Sequence, residues 1–155
     1  MIWRIAGAVV VFTMSICSPI AALAEPETTA FTDRSLAGTY VYRNTAQNVA
    51  SFGVIYFDGA GNLNLKLLIN APSTGGERTT VSAMGVGSYR VEPNGMGEAT
   101  VEFEGIPIEQ GVYDFVIVSA DDGIAKEVYA VLRSGGIKGQ LVNPTWIRIS
   151  GLNSE

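Results

Sequence analysis

A strict two-residue alternation of apolar and polar side chains constrains this chain more than any other feature. Over residues 62–70, Leu63, Leu65, Leu67 and Ile69 fall on one face, while Asn64, Lys66 and Asn70 fall on the other. Leu68 is the single exception. Over residues 98–104, Ala99, Val101 and Phe103 alternate with Glu98, Thr100, Glu102 and Glu104. Period two is the signature of a half-buried strand. Three carboxylates on a buried face would be very costly, so one face of the sheet must meet water. That predicts an antiparallel, one-sided sheet and excludes the doubly covered parallel kind.

Turn chemistry cuts the alternation into hairpins. Asp58-Gly59-Ala60-Gly61-Asn62, Pro93-Asn94-Gly95-Met96-Gly97 and Asp121-Asp122-Gly123 supply residues that accept positive φ. Strands are expected near 38–43, 51–57, 62–70, 79–91, 98–104, 112–119, 124–132 and 138–149. No stretch keeps an apolar 3.6 period for ten residues, and Thr32-Asp33 caps at most one helical turn before Gly38. About eight sequential strands with short loops predict an all-β fold, a single antiparallel up-and-down barrel whose closure leaves no free edge. Gly53, Gly85, Gly87 and Gly139 would permit the bends a small barrel needs. A two-sheet sandwich would need longer crossing connections. An outer-membrane barrel shares the alternation, but its loops are long at one end, and here they are short at both.

Residues 1–24 read as a cleaved signal peptide. Arg4 precedes an apolar run over residues 5–16, and Ala22-Leu23-Ala24 gives the small-x-small pattern of a cleavage site. Twelve apolar residues are too few to span a bilayer, which takes about 20. Residues 25–35 would form a flexible arm and 36–150 the barrel. Removing 24 of the 155 residues leaves 131, with 9 basic against 15 acidic side chains. The expected location is therefore periplasmic or extracellular, with membrane contact only through the leader. The acidic balance and scattered cations argue against nucleic acid. Histidine is absent and the one cysteine, Cys17, lies in the leader. Zinc sites, His-dependent hydrolases and disulfide scaffolds are excluded, and neither a metal nor a cofactor is expected.

Several landmarks recur in a familiar order. They are Leu36-x-Gly38-Thr39-Tyr40, the hairpin of residues 57–62, Gly87-Ser88-Tyr89-x-Val91 and Gly95-x-Gly97-x-Ala99-Thr100-Val101. This pattern resembles small exported bacterial proteins whose barrels are similar to allene oxide cyclase and, more distantly, to lipocalins. The resemblance implies a calycin-type barrel over most of residues 36–149. Lipocalins open with Gly-x-Trp packed against an arginine of the last strand. Here Tyr40 stands at the aromatic position, and Arg148 is its candidate partner.

Without histidine, acid–base chemistry would fall to Asp, Glu, Tyr or Lys. Asp114 is the acid that stands out, because it interrupts an apolar strand. If Val112, Asp114, Val116 and Val118 line the lumen, it is a buried, catalytic candidate. If Tyr113, Phe115 and Ile117 do, it lies outside. Aromatic residues commonly fill barrel interiors, which favours the second arrangement. Lys126 or Glu127 could pair with Asp114 across the hairpin. Tyr40, Tyr56, Tyr89, Tyr113 and Arg148 are the candidate ligand-binding residues, since aromatics with a polar tip suit a small apolar ligand. Three functions remain open: a barrel that holds such a ligand, a metal-free cyclase or isomerase, and a structural or interaction barrel with a filled core.

Overall fold

The computed structural model describes residues 30–46, 48–108, 110–135 and 142–149. Eight strands follow one another: β1 (Gly38–Thr45), β2 (Ala50–Phe57), β3 (Asn62–Pro72), β4 (Arg78–Val91), β5 (Met96–Glu104), β6 (Gln110–Asp121), β7 (Ile124–Ser134) and β8 (Thr145–Arg148). Each pairs antiparallel with the next, and β8 returns to β1, closing an up-and-down barrel. The leader read over residues 1–24, Gly139 and the start of the expected last strand lie outside the described residues.

The alternation sorts side chains as period two requires. Leu63, Leu65, Leu67, Ala99 and Val101 enter the core, while Lys66, Glu98, Glu102 and Glu104 face out. The mid-lumen is packed with aromatic rings. Phe57 makes edge contacts with Tyr40 and Tyr89 at centroid distances of 5.5 and 4.9 Å, and Trp146 lies 5.4 Å from both Phe57 and Phe115. Such offset and edge-on pairs add stability beyond their burial. Glycine is required at two inward positions by close strand approach. A Cβ on Gly53 would overlap the Lys66 carbonyl oxygen, and one on Gly87 would overlap that of Thr100.

Three features depart from expectation. The last strand is short. Val142 and Pro144 lie beside β7, accepting backbone bonds from Leu132 (2.8 Å) and Ala130 (2.9 Å), but regular pairing begins only at Thr145. Pro144 has no N–H to give a ladder. Second, the polar-out alternation is broken by apolar side chains on the outer face. Val41 stands between Val54 and Ile147 in register, Phe52 beside Leu68, and all five are exposed. Third, the β6–β7 pairing carries irregularities between Ile117 and Ala120. These irregularities cancel before Asp114, which stands opposite Val131 as the Asp122-Gly123 turn alone would set it; its partner is Arg133 at 3.1 Å, while Lys126 pairs with Asp121.

One end of the barrel is closed by the chain's entry. Residues Asp33–Leu36 form a 3-10 turn, with Ser35 and Thr32 bonded reciprocally at its start. Leu36 is fully buried as a plug. The Phe31 N–H donates to Pro93, the Val91 N–H donates to the Asp33 carboxylate at 2.6 Å, and the Tyr89 hydroxyl donates to the Asp33 carbonyl at 2.9 Å.

Candidate functional site

The other end, where the β1–β2, β3–β4, β5–β6 and β7–β8 connections gather, remains partly hollow. A cavity of about 230 Å3 opens there. Its wall from β3, β4 and β5 is apolar: Leu67, Ile69, Ala71, Val81 and Phe103. Val49, Ile106, Pro107, Ile108 and Val142 supply the rim. Inward parity explains the wall, because Leu67 and Ile69 continue the leucine face of β3 past the filled mid-lumen.

The polar side chains of the lining are Tyr42 and Asn44 on β1, Ser51 on β2 and Tyr113 on β6. Asn44 and Ser51 are register partners, which aims both inward at one level. The Asn44 amide nitrogen donates to the Ser51 hydroxyl at 3.5 Å, and its oxygen accepts the Asn143 backbone N–H at 3.1 Å. That second bond ties the segment before β8 to the cavity wall. Tyr42 and Tyr113 reach each other from strands on different sides of the lumen, and Ser51 is also within reach of Tyr42. Burial, with the neighbouring Tyr113, pushes the Tyr42 phenol well above its ordinary value. Burial pushes Tyr113 up to about 12. Both phenols therefore stay protonated at neutral pH and can donate.

Of the candidate catalytic and ligand-binding residues read from the sequence, only Tyr113 lines this cavity. Tyr40 and Tyr89 enter the lumen at the closed end. The Tyr40 hydroxyl donates to the Ala125 carbonyl at 2.9 Å, and burial pushes its phenol up to about 12 despite the opposing charge of Arg148. Arg148 stands opposite Tyr40 in register and lies over Gly38, where a Cβ would sit 3.0 Å from its nitrogen. Register thus sets the two side by side at the closed end of the barrel. Tyr56 stands on the outer face. Asp114 also points outward, because Tyr113, Phe115 and Ile117 take the lumen side; its carboxylate bonds Arg133, which also reaches Glu98. The lumen thus receives no carboxylate from β6.

Tyr42, Asn44 and Ser51 were missed. Their sequence signal was the inward parity shared by Tyr40, Tyr42 and Asn44, which places an amide on a buried face. Larger recesses of about 580 and 460 Å3 lie on the outer surface, but they are open shelves bordered by Glu102 and Glu104 or by Arg90, Glu98 and Arg133. Among the described residues, no cluster of three His, Cys, Asp or Glu side chains forms a metal-sized cage. The chain matches no family model, no curated protein and no solved structure. At the coarse level, its eight-stranded antiparallel barrel is consistent with a lipocalin-like fold.

Proposed function

We propose that this protein is an exported barrel that holds one small, predominantly apolar molecule in its open mouth. The observation that carries this reading is the contrast between the two ends of one lumen. The closed end is filled by Leu36 and packed rings, whereas the far end keeps a cavity of about 230 Å3 behind an apolar rim. Pockets lined mainly by apolar side chains take up small apolar ligands. Among the described residues the lining carries no charged side chain and Asp114 lies outside the lumen, which supports holding over acid–base turnover. The leader read in residues 1–24 supports export, and the turn and strand pattern supports kinship with allene oxide cyclase-like barrels at the level of shape.

Native mass spectrometry of protein recovered from the exported fraction tests the reading. The expected result is a retained small molecule, or thermal stabilisation by apolar ligands; a ligand at a hundred times its Kd stabilises by about 2.7 kcal/mol. Val81→Trp, which fills the cavity from β4, should abolish that stabilisation without unfolding the barrel. A bare mass together with no stabilisation across an apolar panel would refute the proposal.

A further inference from the structure

We infer that the molecule held in the barrel mouth is uncharged and carries a single hydrogen-bonding end, which the Tyr42, Asn44, Ser51 and Tyr113 cluster receives. The inference rests on the ligand-holding reading and specifies its chemistry.

The cavity is chemically lopsided. Its β3–β5 side offers only Leu67, Ile69, Ala71, Val81 and Phe103, whereas its polar side chains converge from β1, β2 and β6. Each of the four polar residues is more than nine-tenths buried. A buried amide needs partners for two N–H groups and an oxygen. The Asn44 oxygen is occupied by Asn143, but its nitrogen has one contact, at the 3.5 Å limit, to Ser51. One Asn44 N–H therefore remains for an occupant. The two phenols are donors as well. A hydroxyl or carbonyl oxygen placed beside them can take the spare Asn44 N–H and whichever phenol hydrogen the Tyr42–Tyr113 contact leaves free, bonds that a pure hydrocarbon cannot make.

Among the described residues, the same inventory offers a charged ligand no partner. No Lys, Arg, Asp or Glu belongs to the described lining. Of the described cations, Arg78 bonds Asn70 on the outside, and Arg148 lies at the far, closed end over Gly38. A carboxylate ligand would lose its hydration without gaining a counter-ion. Size narrows the class further. An apolar cavity of about 150 Å3 accommodates benzene, so one about half as large again suits a compact bicyclic molecule or a short chain of similar bulk.

Three probes of one shape test this: naphthalene, 2-naphthol and 2-naphthoate, titrated calorimetrically into the purified protein at pH 7. The expected order is 2-naphthol tightest, naphthalene weaker by about tenfold, the worth of one net hydrogen bond, and naphthoate weakest. Tyr113→Phe, and separately Tyr42→Phe, should shrink the gap between naphthol and naphthalene while leaving naphthalene affinity within about twofold; either variant that folds suffices. Equal affinities for naphthol and naphthalene, an undiminished gap in the folded variants, or a preference for naphthoate would overturn the inference and leave the ligand-holding reading standing. Failure of all three probes to bind would overturn both.

Discussion

Replacing Tyr89 by phenylalanine removes one oxygen atom and keeps the ring, which makes it a clean probe of how the closed end is held. The Tyr89 hydroxyl donates to the Asp33 carbonyl at 2.9 Å and accepts the Gly59 N–H at 3.0 Å. It thereby ties the entering chain, the β2–β3 turn and β4 through a single atom. The ring contact with Phe57 at 4.9 Å would survive the substitution. Phenylalanine leaves a backbone carbonyl and a backbone N–H without their partner. A fully buried orphan costs about 1–3 kcal/mol, and both bonds are only partly buried, so water recovers part of the loss and the net cost should be about 2 kcal/mol. That is a sizeable share of a typical domain's roughly 5–15 kcal/mol. Urea unfolding followed by the fluorescence of buried Trp146 would measure it, with Tyr129→Phe on the exposed outer face as the control. The control should stay within about 0.5 kcal/mol of the parent protein. If Tyr89→Phe matched the control, with an unchanged denaturant slope, the reasoning about the plug would be wrong.

Other perturbations probe the wall, the titration and the surface. Gly87→Val drives a side chain into the Thr100 carbonyl and should cost roughly 3 kcal/mol or more, read as lost soluble yield or a collapsed unfolding midpoint. Alkali should unfold the barrel in a defined window. Burial raises Tyr40, Tyr89 and Tyr113 from 10.0 to about 12, so between those values the unfolded chain releases protons that the native chain keeps. Stability should therefore be level below pH 10 and fall as pH rises toward 12, with phenolate absorbance and loss of circular dichroism moving together; an unchanged stability at pH 12 would contradict this. Arg133→Ala breaks half-exposed pairs with Glu98 and Asp114 and should leave the urea midpoint unchanged at physiological salt.

The alternation made the barrel legible, and particular residues show where legibility ends. Parity along a strand is fixed by the polypeptide itself, so the inward course of Leu63, Leu65 and Leu67 could be read directly. Turn residues were equally explicit, since Gly59, Gly61, Gly95 and Gly123 all adopt the positive φ their hairpins require. Height along the barrel axis is another matter. It depends on the stagger accumulated around eight strands, a property of the closed sheet and of no single segment. Tyr40 and Tyr42 share a face two residues apart, yet one caps the filled end and the other lines the cavity. The partner of Asp114 could have been read: the two-residue turn at Asp122-Gly123 sets Asp121 opposite Ile124, and the same register puts Asp114 opposite Val131, one diagonal step from Arg133. Outer apolar positions such as Phe52 and Val54 escaped notice because β2 is apolar on both faces, which leaves alternation with nothing to distinguish.

The stagger that hid the site also explains why the barrel has one. A small eight-stranded lumen offers just enough room for its own side chains, so a cavity survives only where something fails to fill it. At the entry end, the chain itself supplies the filler: Leu36 plugs the lumen, and Asp33 fastens the plug to Tyr89 and Val91. At the opposite end the lining positions are taken by Ala71, Gly111 and Ser51 among larger neighbours, and their small volume leaves the space open. The polar groups that remain there are held by few bonds, and Asn44 spends its one firm bond on Asn143, in the segment that leads into β8. The side-chain bonds that tie separate segments together are thus concentrated at the closed end. On the proposed reading, a molecule arriving at the mouth would meet polar groups fixed in place by the strands, with one Asn44 N–H to spare.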